Sequence, residues 1–170
     1  MSASPLLGTL FGYHAWANRE LLKKMEGFDP VRHKDELHSA LRLVNHAHLV
    51  SRIFVAHLTG KAHGFAVDNP TQTPSLAELS VTVAATDRWY IEYVESVTPQ
   101  QLCESVAFVF TDGDHGCMSR EEMLTHVVTH AGYHRGEVGQ IMKQLSIELP
   151  WDTFAVYLHR AEPSRRSNAL

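Results

Sequence analysis

The sequence predicts an all-α fold: a four-helix bundle with a short hairpin-like crossover before the fourth long helix. Three observations carry this. Four long segments repeat apolar residues at helical spacing, and their starts carry capping residues. One stretch, residues 105–118, breaks the period with β-rich residues and a turn cluster. At 170 residues with 44% hydrophobic content, the chain suits a single domain. A chain of this length buries about 70% of its unfolded surface, so the core needs neither disulfides nor a structural metal. The bundle is expected over residues 1–160, with 161–170 as a flexible, polar tail.

The first helix is expected from about Pro5 to Gly27. Ser4 supplies the N-cap, Pro5 takes the first helical position, and Gly27 stops the helix. The second runs from about Asp35 to Gly60. A loop rich in Gly, Asn, Thr and Pro follows, up to Pro74. Ser75 and Glu78 form a capping box that opens the third helix, which continues to about Val97. Thr98 to Gln101 reads as one more short helical turn. Ser105 to Phe110, followed by Thr111-Asp-Gly-Asp-His-Gly116, reads as a small hairpin. Ser119 with Glu122 is a second capping box, starting the fourth long helix, which reaches about Leu145. Pro150 to Asp152 turns the chain into a short terminal helix near Phe154–Leu158.

Charge and apolar runs exclude several classes. The net charge of −4 argues against a nucleic-acid partner, which needs a basic face to displace counterions from phosphates. The longest apolar run, Val106 to Phe110, is far too short to span a membrane. No secretory signal is visible, and Cys103 and Cys117 are spaced as two reduced thiols, so a cytoplasmic protein is expected. The unusual feature is twelve His. Protonating all of them carries the formal charge from −4 to +8, so stability should respond to pH near the ordinary His pKa of about 6.5.

His126, His130 and His134 recur every four residues on the fourth helix and share one narrow stripe with Met123, Val127, Ile141 and Leu145. Thr125, Arg135, Gly136, Gly139 and Lys143 fall on the other side. The stripe therefore points the three imidazoles into the bundle. One inward His is ordinarily a hydrogen-bonded core residue; three in line suggest a metal, for which imidazole is the commonest ligand. All three cannot share one ion, because His126 and His134 lie about 12 Å apart along the axis while Zn–N bonds are about 2.0–2.1 Å. Either His126 with His130, or His130 with His134, can do so. A further ligand must come from another helix. On the second helix His46 and His57 lie on one flank and His48 on the opposite side. Periodicity does not choose between His46 and His57, although the mid-helix position slightly favours His46.

Four stretches resemble the DinB/YfiT-like family of bacterial metal-binding four-helix proteins. They are Tyr13-His-Ala-Trp16-Ala-Asn18, Asn45-His46 through Leu58-Thr-Gly60, His126-Val-Val-Thr-His130-Ala-Gly-Tyr-His134-Arg135-Gly136-Glu137, and Leu149-Pro-Trp-Asp152 with Tyr157-Leu158. The resemblance implies that His46, His130 and His134 hold a divalent transition metal (Zn, Ni, Fe or Mn). The chain departs from the family pattern at Glu137, usually Gln; at Ser51, often acidic; and at Thr129, frequently Asn. Glu137 adds a carboxylate beside the His pair, as a base near the metal or a fourth ligand. His126 and His57 are left as inward-facing residues of unassigned duty. The remaining seven, including His14 and His48, are expected to be ordinary surface or cap residues.

Three His ligands leave coordination positions open, the pattern of catalytic sites. His130 is followed by Ala131 and not by Glu, so a zincin protease is excluded, and no G-x-S-x-G or Walker loop is present. Tyr13, Trp16 and Tyr133 are candidates for the pocket mouth, Trp16 being better read as core. Resemblance to thiol-dependent members implies a metal-dependent S-transferase of detoxification type, acting on a small-molecule substrate with a low-molecular-weight thiol. The other readings are a metal-dependent hydrolase and a non-enzymatic metal-binding stress-response or interaction protein. A homodimer is expected from an exposed bundle face.

Overall fold

The computed structural model describes residues 4–166. Its long helices are α1 (Pro5–Met25), α2 (Lys34–Thr59), α3 (Leu76–Ser96) and α5 (Arg120–Gln144). The short α4 (Pro99–Leu102) and a hairpin of β1 (Ser105–Val109) and β2 (His115–Ser119) separate α3 from α5. After α5 come α6 (Phe154–Ala161) and a single 3-10 turn, Pro163–Arg166. The expected tail thus begins with a short helix end and a turn, and its last four residues lie outside the described ones. None of the described helices is long and apolar enough to cross a membrane.

Local chemistry sets the boundaries. The Ser4 side chain accepts a hydrogen bond from the Leu7 amide, and Pro5 fills the first helical position without losing a bonded N–H. α2 lacks a side-chain cap at His33 but has Asp35 and Glu36 in its first turn, where carboxylates favour the positive end of the helix dipole. It stops at Gly60, which takes the left-handed φ of 66°. Both expected capping boxes form: Glu78 accepts from the Ser75 amide at 2.8 Å and Glu122 from the Ser119 amide at 2.7 Å. The hairpin is antiparallel, running from Ser105 opposite Ser119 to Val109 opposite His115. Cys117 faces Ala107, and both cysteines are free and exposed. Arg120 fastens the hairpin end to the bundle, donating to the Leu58 carbonyl, the Tyr93 hydroxyl and the Glu104 carboxylate.

α2 packs chiefly on α5, and α1 on α3. The apolar core has two parts. One, around Phe11, Phe54, Tyr90 and Leu124, fills the end nearest the hairpin. The other, around Leu21, Met25, Leu79, Val138 and Met142, fills the opposite end. Between them, at mid-height, the bundle is polar. His14, Asn45, His48, Ser51, Asp87 and Arg135 are buried there.

That layer corrects three expectations. His14 is 1% exposed and His48 7%, so neither is a surface or cap residue. Arg135, expected on the outer side of the fourth helix, is 6% exposed. The buried line of α5 runs through Leu124, Ala131, Val138 and Met142, about 100° round the helix from His130. The His stripe is the flank of the buried face, and all three imidazoles are half-buried.

Candidate metal centre

His46 on α2 meets His130 and His134 on α5 at the edge of the mid-bundle layer. The ring centroids stand 5.2 Å (His46–His130), 4.8 Å (His46–His134) and 4.5 Å (His130–His134) apart. One potential ligand atom from each residue lies within 4.8 Å of the other two. Among the described residues this is the group that metal-ligand spacing selects. The alternatives left open by helical periodicity therefore separate: the nitrogens of His126 and His57 lie outside the group.

Hydrogen bonds set the direction of two rings. His46 Nδ1 lies 3.1 Å from the Asp68 carbonyl. A carbonyl oxygen only accepts, so Nδ1 carries the proton and the lone pair is left on Nε2. His134 Nδ1 lies 2.7 Å from Glu137 Oε2, which fixes the same tautomer. His134 Nε2 then faces His130 Nε2 at 3.1 Å. Two nitrogens bound at about 2.0–2.1 Å to one ion stand about 3.0 Å apart at a right angle and about 3.4 Å at the tetrahedral angle. The observed spacing lies between these, so the pair fits a common ion without rearrangement.

Electrostatics agree with this donor set. His130 is held down to a pKa of about 4, first by desolvation and then by the neighbouring His134, His126 and His46. Ligation needs the neutral imidazole, and this pocket supplies it at neutral pH. Glu137 stands on the far side of the His134 ring from the shared point and is not part of the three-residue group. That position suits orientation of His134 and fits poorly with a fourth ligand.

The surroundings are aromatic towards the hairpin. His126 stacks on His130 at 5.1 Å and on Phe54 at 4.8 Å. His57 lies against Phe54 and Phe108, with its pKa lowered by burial and then by His63. Tyr133, 66% exposed, sets its ring edge against His134. Trp16 is core, packed on Tyr13 and Tyr157, as its residue type suggested.

On the inner side of His134 the layer closes around a cavity of about 30 Å³, also lined by His14, His48, Ser51, Asp87 and Arg135. Arg135 donates to Asp152 at 2.7 Å and to Asn18 Oδ1 at 3.0 Å. Asn18 donates to Asp87 at 3.1 Å, and His14 Nε2 lies 3.2 Å from the same carboxylate. The Tyr13 hydroxyl donates to Asp152 at 2.6 Å; its pKa is raised, by burial first and then by that carboxylate. Sequence reasoning missed this network and the Asp68 carbonyl. Partners from four separated segments leave no local pattern, and a backbone oxygen carries no residue-type signal.

A family model described as the DinB family matches residues 1–166. Among curated proteins, Protein DinB of Bacillus subtilis (strain 168) is 20% identical over 161 residues, covering 88% of this chain and 91% of the relative. No solved structure matches the chain. With the whole described bundle inside the match, the chain belongs to the DinB family.

Proposed function

We propose that the protein is a metal-dependent S-transferase, with His46, His130 and His134 as the ligands of a divalent Zn, Ni, Fe or Mn ion. The observation that carries the reading is the convergence of three imidazoles, two of them oriented from behind by oxygen acceptors. Three protein ligands leave at least one coordination position for an exchangeable group. When bound, the ion supplies Lewis acidity that lowers the pKa of a thiol. The thiol would release its proton to solvent, its sulfur would form the new bond to an electrophilic carbon, and the bond from that carbon to the leaving group would break, the leaving group departing with the electron pair. Glu137 holds the His134 ring and strengthens it as a donor. Buried Phe54 with half-buried His57 and His126 forms an aromatic wall that limits water on the hairpin side.

Metal analysis of untagged protein should find about one divalent ion per chain, and His130→Ala should lose it while the helical signal stays. A Co(II)-loaded sample should develop a saturable thiolate charge-transfer band with a small thiol, and turnover should follow with a thiol-reactive electrophile. Unchanged metal content in His130→Ala would remove the triad. A Co(II) spectrum blind to every thiol would remove the transferase reading and leave a metal-binding protein.

A further inference from the structure

We infer that Arg42 is a positioning residue for His46, acting through the loop segment Asp68–Pro70. The inference rests on the proposed metal reading and extends it to a part of the chain with no ligand of its own.

Arg42 and His46 stand one turn apart on α2, so they share a face. The Arg42 guanidinium donates through Nη2 to Asn69 Oδ1 at 2.8 Å and through Nη1 to the Pro70 carbonyl at 3.2 Å. A planar fork gripping two successive residues fixes orientation as well as distance. The residue just before that grip, Asp68, supplies the carbonyl that receives His46 Nδ1–H. Pro70 adds stiffness, because a residue before proline is confined to extended backbone. The loop is held upstream as well: Arg52 lies 4.8 Å over the Phe65 ring, and His63 meets His57. Asp68 therefore lies between two anchors, and its carbonyl is placed where the ligand's proton must be.

The grip selects a tautomer. With Asp68 O in place, His46 presents the lone pair of Nε2 to His130 and His134. If the segment drifts, Nδ1 loses its acceptor and the ring gains rotational freedom and the other tautomer. Loss of an orienting partner behind a metal-bound His weakens affinity by about 10–100-fold in general.

Charge makes the test one of sign. Arg42→Met removes a cation from the neighbourhood of a cation site, so Coulomb repulsion alone predicts tighter metal binding. Positioning predicts weaker binding. Competition with a chromophoric chelator, using Co(II) and Zn(II), should show about tenfold weaker affinity for Arg42→Met and faster metal release. Arg42→Lys, which keeps the charge but not the fork, should also bind more weakly than wild type. Asn69→Ala leaves α2 untouched and should shift affinity the same way by less. In metal-free protein, ¹⁵N shifts of His46 should report the Nδ1–H tautomer in wild type and a mixture in Arg42→Met. Equal or tighter binding in Arg42→Met, or an unchanged His46 tautomer, would overturn the inference. Failure of wild type to bind metal would overturn the metal reading instead, with the tautomer shift still deciding whether Arg42 positions His46.

Discussion

Two polar clusters share the middle level of this bundle and are built on opposite rules. Between α1, α3, α5 and the segment before α6, unlike groups are matched: Arg135 with Asp152 and Asn18, Asn18 with Asp87, His14 with Asp87, Tyr13 with Asp152. Between α2 and α5, like groups are crowded. His46, His130 and His134 turn towards one another, with their oxygen partners behind two of the rings and no carboxylate in the group. Burial of a matched set is a structural solution, since the paired atoms recover what they lost from water; His14 Nδ1 is the exception, buried with no hydrogen-bond partner among the described residues. Crowding of like acceptors gains nothing until something with empty orbitals sits among them. The contrast between matching and crowding separates scaffold from site more sharply than the number of histidines in either cluster.

The largest expected effect breaks the matched side. Arg135→Met would leave the Asp152 carboxylate, itself about one-fifth exposed, with the Tyr13 hydroxyl but without its cation, and Asn18 Oδ1 without its donor. Removing one partner of a buried ion pair costs about 3–5 kcal/mol, and partial exposure of Asp152 places this variant near the lower end. Urea unfolding should show that loss while metal bound per folded molecule stays the same. A variant of wild-type stability that had lost its metal would reverse the assignment, making Arg135 part of the site.

Acid probes the crowded site and the buried layer beside it with an intermediate effect. His48 and His130 are each held down to a pKa of about 4, in both cases chiefly by burial. Below its unfolded pKa of about 6.5 the unfolded chain takes up protons that the folded chain refuses. Stability is therefore full above pH 6.5 and falls as the pH drops towards 4. For buried His48 the loss is on the order of 2–3 kcal/mol across that window, and for half-exposed His130 it is smaller because solvent screens the charge. Metal-free protein unfolded in urea at several pH values should show the slope, and His48→Gln should flatten most of it. A slope unaltered in His48→Gln would mean that His48 is not held neutral by its surroundings.

Much of the bundle was legible because helix starts are written locally. Ser75 with Glu78, and Ser119 with Glu122, announce their caps within four residues, and the hairpin's β-rich run ends in turn residues. The triad was legible only in part. Spacing on the fourth helix allowed two His pairs, spacing on the second left His46 against His57, and the resemblance selected the set that the structure brings together. Arg135 was misplaced for a physical reason. A helix flanked by α2 on one side and α1 on the other buries a wide face, and a wheel centred on the His stripe puts Arg135 outside. It is inside because Asp152, seventeen residues away, neutralises it. His14 was misread for the same cause, since its Asp87 partner lies on another helix; His48 is buried with its Nε2 unpaired among the described residues, which residue type does not announce.

The smallest effect lies at the border between the clusters and the apolar core. His126 continues the α5 stripe one turn beyond His130, and spacing alone makes it as good a ligand as His134. Its ring instead lies flat between Phe54 at 4.8 Å and His130 at 5.1 Å, with burial lowering its pKa. Stacking of this kind contributes about 0.5–1.5 kcal/mol. His126→Ala should lower stability by about that much and keep a stoichiometric ion, with affinity changed by only a few-fold as the His130 ring loses a neighbour. Metal analysis after dialysis decides it. If the ion left with His126, the His126–His130 pair would be the ligating one, and the 3.1 Å approach of His134 to His130 would be reduced to a hydrogen bond between two half-buried imidazoles.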